Sequence, residues 1–597
     1  MCGIFFCKVL DESVYDHFDL DELFARSLEK MRYRGEDNVA VRKINGLYFG
    51  HARLAINGLN SASNQPVVTS DYALIFNGEY YNYKEAYPNR ESDTLALFDY
   101  LQERRYAHSS VNGPYAYAWY DKKSNKVFFR RDFFGEKPLY YYMDKKVLVV
   151  SSTLKSILSF VKGIGVEVRL NVESLRSDYV INGFIREPET IWKGIYEVPP
   201  NHSLILEGLE VSLQKEKIGF LANAGPAAAE SYVEHSLIAR DVDAALLLSS
   251  GVDSSYLLVK SIEAGAGLSL VTYGGGEGAG EVGEVGEVEE NLSSIDLNKA
   301  GCQFSSLQRD NEGHPVNIRE ELEYYADIME QPTSDGLQVH RILQHLKMEF
   351  PHLKVVYSGL GGDEIFGGYP SFKNYQIVNI LAGIPRASLL VPKMRRFLEG
   401  RTILGEWSVM AYYFLYRADP LFVKKECADR VKESYERFKK GVYESVPEEL
   451  MERFKKCSGM QLKFLETFDY CKNQLLRDMD NISMHHGVEA RVPLLNPYLI
   501  IQPVDNKKNL KEYVQARTKI SFGKKKGFSI LDSESLDVYK DSLSGNKKTL
   551  DTVFGDNICN GYALSDIGLM RKFSFIAEWL KANVVVSEAD GSTLVAK

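Results

Sequence analysis

Cysteine stands at position 2 of this 597-residue chain, between the initiator methionine and Gly3. Methionine is usually removed before a residue this small. Removal would leave one residue with both a thiol and a free α-amine, whose reference pKa values are about 8.5 and about 8. The amine can then accept the proton of its own side chain, so such a nucleophile needs no separate histidine. A small second residue that only aids processing is the plain alternative, and retention of Met1 would defeat the mechanism. A second chemical stretch is Ala244 to Ser255, AALLLSSGVDSS. Its apolar run, Ala244 to Leu248, reads as a buried strand. Ser249, Ser250 and Gly251 form a small-residue turn, and Asp253, Ser254 and Ser255 fall where a helix begins. Such a junction cradles anions, because small residues let main-chain N–H groups approach and the helix dipole favours negative charge. The spacing is not G-x-x-x-x-G-K-[ST], so it is not the Walker-type loop. Lys354 to Tyr369, KVVYSGLGGDEIFGGY, again runs an apolar strand into glycines, with Asp363 and Glu364 behind them. Asp253 and Asp363, one after each strand, suit Mg²⁺ bound to phosphate oxygens; helix capping is their alternative reading.

The elements that must position these residues exceed one core. A chain of this length is expected to hold roughly two to four domains. Apolar content of 45% and charged content of 26% are those of a soluble globular protein. A net charge of −9 argues against a nucleic-acid binder, which needs a basic face. Seven widely spread cysteines form no C-x-x-C pair and no disulfide framework, so a reducing cytoplasm is the expected location. The N-terminus lacks the basic and apolar regions of a signal peptide. No run of about 20 uninterrupted apolar residues suggests a membrane span; the run near Ile380 to Pro392 is broken by Pro385 and Arg386.

Seven blocks occur in one order after Cys2: MRYRGEDN (Met31 to Asn38), HARLAI (His51 to Ile56), NQPV (Asn64 to Val67), FNGEYYNY (Phe76 to Tyr83), ESDTLAL (Glu91 to Leu97), GPYAYAWYD (Gly113 to Asp121) and RDFFGEKPLYY (Arg131 to Tyr141). Together they resemble the class II glutamine amidotransferase domain, an N-terminal-nucleophile hydrolase, from Cys2 to about residue 160. The resemblance implies that Cys2 attacks the side-chain amide of glutamine. Asn77 and Gly78 would supply oxyanion donors, Arg53 would pair with glutamine's carboxylate, and Glu79 and Asp93 would hold its ammonium. Taken singly, Asn77–Gly78 is also a common hairpin turn, Asp93 sits where a helix cap would, and Arg53 could serve in a surface ion pair. Glu36 stands where the family usually has proline.

The loop at Ala244 to Ser255 resembles the S-G-G-x-D-S loop of ATP pyrophosphatases, with Ser250 in place of the first glycine. Leu248, Ser249, Ser250, Gly251, Asp253 and Ser254 would then line ATP. The next apolar strand, Leu268 to Tyr273, would meet adenine near Thr272. Lys354 to Tyr369 resembles the signature of asparagine synthetases and their relatives, which brings Ser358 and Gly359 to the nucleotide and Asp253 and Asp363 to Mg²⁺. DMDNISMHHGVEARVPLLN (Asp478 to Asn496) resembles a further family segment. There Asp480 and Glu489 are candidates for shaping the acceptor pocket, Arg491 is expected to pin structure, and Asn496 replaces the usual aspartate. KKKGF (Lys524 to Phe528) resembles the R-x-K-x-G-F segment, with Gly523 in the arginine slot. Lys525 would stabilise charge on the adenylate and pyrophosphate; a solvated lysine run is the alternative. Leu360 departs from the pattern, because asparagine synthetases generally carry glutamate there and β-lactam synthetase relatives tyrosine. Leucine can take no proton, so another group or water must accept it, or the acceptor is not aspartate. Asp335 is a candidate substitute contact.

On these residues the chain is identified as a member of the glutamine-dependent asparagine synthetase family. The expected fold is α/β: an αββα amidotransferase sandwich over residues 1–205, then a doubly wound ATP pyrophosphatase domain over residues 206–597. Ser203 to Gln214 is read as a last hairpin and Ala222 to Ala229 as a small-residue linker. Gly274 to Asn291, a Gly/Glu/Val near-repeat, is read as a loop, with a lid over ATP as its functional alternative. The expected reaction uses ATP and Mg²⁺ to adenylate a carboxylate, aspartate by default, which then receives ammonia from glutamine. Glutamine, ATP and aspartate are the expected partners, with no nucleic acid or membrane, and a homodimer stays open. Two other readings remain: amidation of a different carboxylate, such as a uronic-acid sugar, and a catalytically weak regulatory or scaffolding protein.

Overall fold

Alternating apolar and polar residues build two antiparallel sheets in the first 215 residues. In chain order the strands are β1 (Gly3–Val9), β2 (Asn38–Ile44), β3 (Leu47–Arg53), β4 (Val67–Val68), β5 (Tyr72–Gly78), β6 (Tyr115–Asp121), β7 (Lys126–Arg131), β8 (Tyr140–Met143), β9 (Val147–Ser151), β10 (Ile195–Glu197), β11 (His202–Glu207) and β12 (Glu210–Lys215). One sheet has the order β10-β8-β9-β1-β3-β2, the other β12-β11-β7-β6-β5-β4. The chain is described from a computed structural model over residues 2–104, 111–219, 225–274, 284–308, 317–333, 336–382, 408–417, 428–522, 533–554, 567–587 and 593–597.

Side chains two apart on a strand share a face, and β1 divides its own between two cores. Ile4 and Phe6 enter the layer between the sheets with Phe49, Ile75 and Phe129. Phe5 and Cys7 turn outward, to a core shared with α1 (Leu20–Glu29), where the Phe5 and Phe24 rings stack at 4.5 Å. The outer face of the second sheet offers Leu74, Phe76 and Trp119 to Leu97 and Leu101 of α2 (Asp93–Arg104). A third helix, α3 (Leu154–Gly163), joins α1 over the first sheet through Ile157 and Phe160. Helix, sheet, sheet and helix are the expected four layers. The boundary drawn at 205 cuts β11, which is hydrogen-bonded to β7 and to β12. The first unit therefore continues to Lys215.

Helix α4 (Pro226–Ile238) opens the second unit with proline at its first turn, where a missing N–H costs no helical bond. The linker expected at Ala222 to Ala229 is accordingly helical from Pro226; residues 220–224 lie outside the described residues. Then come β13 (Ala244–Leu247), α5 (Val252–Glu263), β14 (Ser269–Gly274), α6 (Glu284–Leu292), β15 (Gln303–Gln308), β16 (Val355–Tyr357), α7 (Gly362–Phe366) and β17 (Glu489–Arg491). The strands are parallel, ordered β15-β14-β13-β16-β17. The order reverses between β13 and β16, the switch point where open α/β sheets bind ligands at the carboxyl ends of strands.

Helix α6 corrects the loop reading of Gly274 to Asn291. Val288 and Leu292, one helical turn apart, are buried against the core that contains Leu270 of β14, and that apolar stripe outweighs the Gly/Glu composition. Residues 275–283 of the stretch lie outside the described residues.

A late element ties the units together. Helix α8 (Ile567–Asn583) leads into the strands β18 (Val584–Val586) and β19 (Leu594–Ala596). Leu170 N–H donates to the Leu594 carbonyl (2.9 Å) and Ala596 N–H to the Val168 carbonyl (3.0 Å). Trp579 of α8 packs on Trp192 with ring centroids 5.6 Å apart. Among the described residues no helix is long and apolar enough to cross a membrane.

Candidate active site

Cys2 sits just ahead of β1 and is 9% exposed. Its N–H donates to Asn77 Oδ1 (3.0 Å), its carbonyl accepts from Arg34 Nε (3.0 Å), and its Sγ lies 3.9 Å from the Leu54 carbonyl. Burial pushes the thiol pKa up, and nearby Arg53 offsets part of that. Asn77, next to last in β5, turns its oxygen to Cys2, which leaves Nδ2 buried with no acceptor among the described residues. Gly78 comes next, where a Cβ would lie 2.3 Å from the Pro114 carbonyl oxygen.

Arg53, Gly78, Glu79 and Asp93 line the same cavity as Cys2, of about 20 Å³. Arg53, expected to face a carboxylate, commits its guanidinium to the loop beside it. Nη1 bonds the Asn60 carbonyl (3.0 Å) and Asn64 Oδ1 (2.8 Å), and Nη2 bonds the carbonyls of Asn57 (3.3 Å) and Gly58 (2.6 Å). Glu79 Oε2 accepts from Asn57 Nδ2 (2.7 Å) and pairs with Arg491 Nη2 (2.9 Å). Asp93 opens α2 and accepts the N–H groups of Tyr80 (3.2 Å) and Thr94 (2.7 Å). Burial holds its carboxyl at about 6.

The second cluster lies at the finishing ends of β13 and β16. Leu248 N–H donates to the Val271 carbonyl (2.8 Å). In the adjoining turn, with Ser250 half-buried, Ser254 Oγ accepts from Ser249 N–H (3.1 Å), and Gly251 caps α5. Thr272 near the end of β14 is buried with an Oγ1 that lacks a partner among the described residues. The loop from Ser358 passes so close that a Cβ on Gly359 or Gly362 would come within 2.9 and 2.5 Å of Asp253 side-chain atoms. Only glycine allows that approach, and it brings Asp363, in the first turn of α7, to the same place. Leu360 is half-buried and packs against the hydrophobic core.

The Lys507 ammonium contacts both Asp253 and Asp363, and its pKa is raised by the two carboxylates against the effect of burial. Sequence reasoning missed this residue, which lies in no recognisable motif. Asn506 and Lys507 both hold left-handed backbone, at φ 54° and 64°; such strain in non-glycine residues persists where structure demands it. Two carboxylates gathered on one positive charge supply the hard oxygen donors that Mg²⁺ takes.

Asp480 and Glu489, candidates for the acceptor pocket, are each engaged by an arginine. Asp480 takes a two-pronged contact from Arg34 (2.8 and 3.0 Å). Glu489 accepts from Arg491 Nε (2.8 Å). Arg34 and Asp480 border a second cavity of about 20 Å³, with Tyr140 and Ser152 of the first unit and Lys472 and Arg477 of the second. Asn496 uses its amide to donate to the Ala229 carbonyl (2.8 Å), a bond an ionised aspartate could not make. Met1, Asp335, Gly523, Lys524 and Lys525 lie outside the described residues.

Comparison with known proteins matches the family model described as a glutamine amidotransferase domain over residues 1–216, and that described as asparagine synthase over residues 232–500. Glutamine-hydrolysing asparagine synthetase 1 of Bacillus subtilis is 23% identical over 519 residues, 80% of this chain and 77% of its own. A Methanocaldococcus jannaschii protein, provisionally named glutamine-hydrolysing asparagine synthetase 2, is 27% identical over 422 residues, 61% of this chain and 76% of its own. The amidase chry2 of Gibberella zeae is 26% identical over 368 residues, 54% of this chain and 51% of its own.

Proposed function

The chain belongs to the glutamine-dependent asparagine synthetase family, an amidotransferase joined to an ATP-using synthetase, and from that premise we propose that it amidates aspartate to asparagine. Cys2, its amine freed by removal of Met1, attacks the side-chain amide carbon of glutamine. Asn77 Nδ2 and the Gly78 N–H receive the oxyanion; removing one such donor typically costs about 10²–10³ in rate. Ammonia leaves, and water releases glutamate from the thioester. Glu79 and Asp93 hold glutamine's ammonium, and Arg53, with its guanidinium bonded to the Asn57 to Asn64 loop, contributes positive charge on the carboxylate's side of the cavity.

At the other site the acceptor carboxylate attacks the α-phosphorus of ATP, pyrophosphate departs, and ammonia displaces AMP from the acyl-adenylate. Leu248 to Gly251, Ser254, Thr272, Ser358 and Gly359 line the nucleotide. Asp253 and Asp363 would hold Mg²⁺, which offsets phosphate charge, and Lys525 would steady the leaving groups. The observation that carries this reading is the Asn77 Nδ2 left without an acceptor among the described residues, on the side chain that binds Cys2, whose cavity Glu79 and Asp93 share.

Leu360 supports a second reading. It offers no base to the attacking ammonia, so an acceptor other than aspartate fits as well. The test is pyrophosphate release with glutamine and a panel of carboxylic acids. Release with aspartate alone supports the first reading, release with another acid alone supports the second, and none with any acid overturns both.

Asp93 makes the glutamine step pH-dependent. Its carboxylate is charged above about 6 and protonated below. The KM for glutamine should therefore rise as pH falls through 6, by about tenfold per unit once protonation dominates. Ammonia-dependent synthesis should not share that step, and Asp93→Asn should abolish it. Steady-state kinetics from pH 5 to 8 check this.

A further inference from the structure

The wall of the glutamine cavity from Leu54 to Gly58 is gripped from both units. On its own side Arg53 holds the carbonyls of Asn57 and Gly58. From the second unit, Asp241 Oδ2 accepts the Gly58 N–H (2.8 Å), and the Asp241 N–H donates to the Ile56 carbonyl (2.9 Å). Lys354 Nζ contacts both carboxylate oxygens of Asp37 (3.0 and 2.9 Å), and Asp37 Oδ2 accepts the Ala55 N–H (2.7 Å). Gly58 has little room to yield: its φ is +58°, and a Cβ there would lie 2.6 Å from both Ser63 Oγ and Ser92 Cβ.

The two gripping residues have related places in the fold. Asp241 lies just before β13, and Lys354 immediately before β16. These neighbouring strands pair in register, Ala244 with Val355, and they are the two that end in the anion loops. Each spans three or four residues, or about 10–13 Å. Their starting ends hold the glutamine wall, and their finishing ends carry Asp253 and Asp363.

We propose, on the reading that this cavity binds glutamine, that Asp241 and Lys354 are positioning residues for glutamine, supplied by the nucleotide-binding sheet. Neither side chain lines the cavity. Asp241 sets the wall through the Gly58 N–H and the Ile56 carbonyl, and Lys354 sets it through Asp37 on the Ala55 N–H and by its own bond to the Ala55 carbonyl (3.5 Å). A hydrogen bond to a charged carboxylate is among the stronger ones, so its loss lets the wall recede from the bound substrate.

The test compares Asp241→Ala with Asp241→Asn, which keeps an acceptor for the Gly58 N–H, in the full chain. Asp241→Ala should raise the KM for glutamine hydrolysis about tenfold. Its kcat and its ammonia-dependent synthesis should stay within about twofold of the unaltered protein. Asp241→Asn should recover most of the lost affinity, and Lys354→Met should repeat the KM effect. An unchanged KM in Asp241→Ala overturns the proposal. So does a fall in kcat and in ammonia-dependent synthesis together, which marks a merely structural brace. If the unaltered protein shows no Cys2-dependent glutaminase, the reading of the cavity falls and takes this proposal with it.

Discussion

Cys2→Ala is expected to lower glutamine-dependent synthesis by more than about a thousandfold, the scale on which removing a nucleophile acts. Synthesis from added ammonium should persist at its original rate. The division rests on placement. Cys2 belongs to the cavity of Arg53, Glu79 and Asp93, whereas Asp253 and Asp363 meet at Lys507 beyond the far ends of the parallel strands. The removed Sγ has the Leu54 carbonyl as its polar neighbour, so its loss breaks no strong bond and the fold should survive. Pyrophosphate release measured with glutamine and then with ammonium chloride checks the result; equal loss with both donors would mean the sites are not separate.

Asp363→Asn should produce the reverse pattern. Pyrophosphate release should fall by about 10²–10³ with either nitrogen source, the cost of losing a group aimed at charge in a transition state. Glutamine hydrolysis should continue. Asparagine preserves the size of the side chain beside Gly368, where a Cβ would lie 1.9 Å from Asp363 Oδ1, so the change is one of charge. The surviving glutaminase shows that the variant is folded. Retention of pyrophosphate release would remove Asp363 from any role at phosphate or metal.

Legibility in the sequence depended on how local each signal was. The anion loops were legible because strand, small-residue turn and helix start are contiguous, at Ala244 to Ser255 and again at Lys354 to Asp363. The four layers were legible from the resemblance carried by the seven ordered blocks; alternation pointed only to β-rich layers, and in β1, where Ile4, Phe5, Phe6 and Cys7 are all apolar, it gave no sign of which face each side chain takes. Lys507 was invisible because it joins two aspartates remote in sequence from an ordinary lysine-rich segment. Arg53 and Glu79 had legible charges but illegible partners: Asn57 to Asn64 occupies the first and Arg491 the second. Helix α6 was missed because composition was given more weight than the spacing of Val288 and Leu292. The boundary at 205 failed because the closing hairpin joins a strand, β7, made some seventy residues earlier.

The return of β19 to residues 168–170 bears on how the molecule is made. Both halves of that ladder must exist before either can bond, and contacts this distant in sequence form late. On the ribosome the amidotransferase sheets can assemble early, but Glu79 still waits for Arg491, and the seam waits for residues 594–596. The glutamine site thus depends on the second unit having been made as far as Arg491. An unfinished polypeptide, with its cysteine already made, lacks the completed walls needed to release nitrogen before there is anything to receive it.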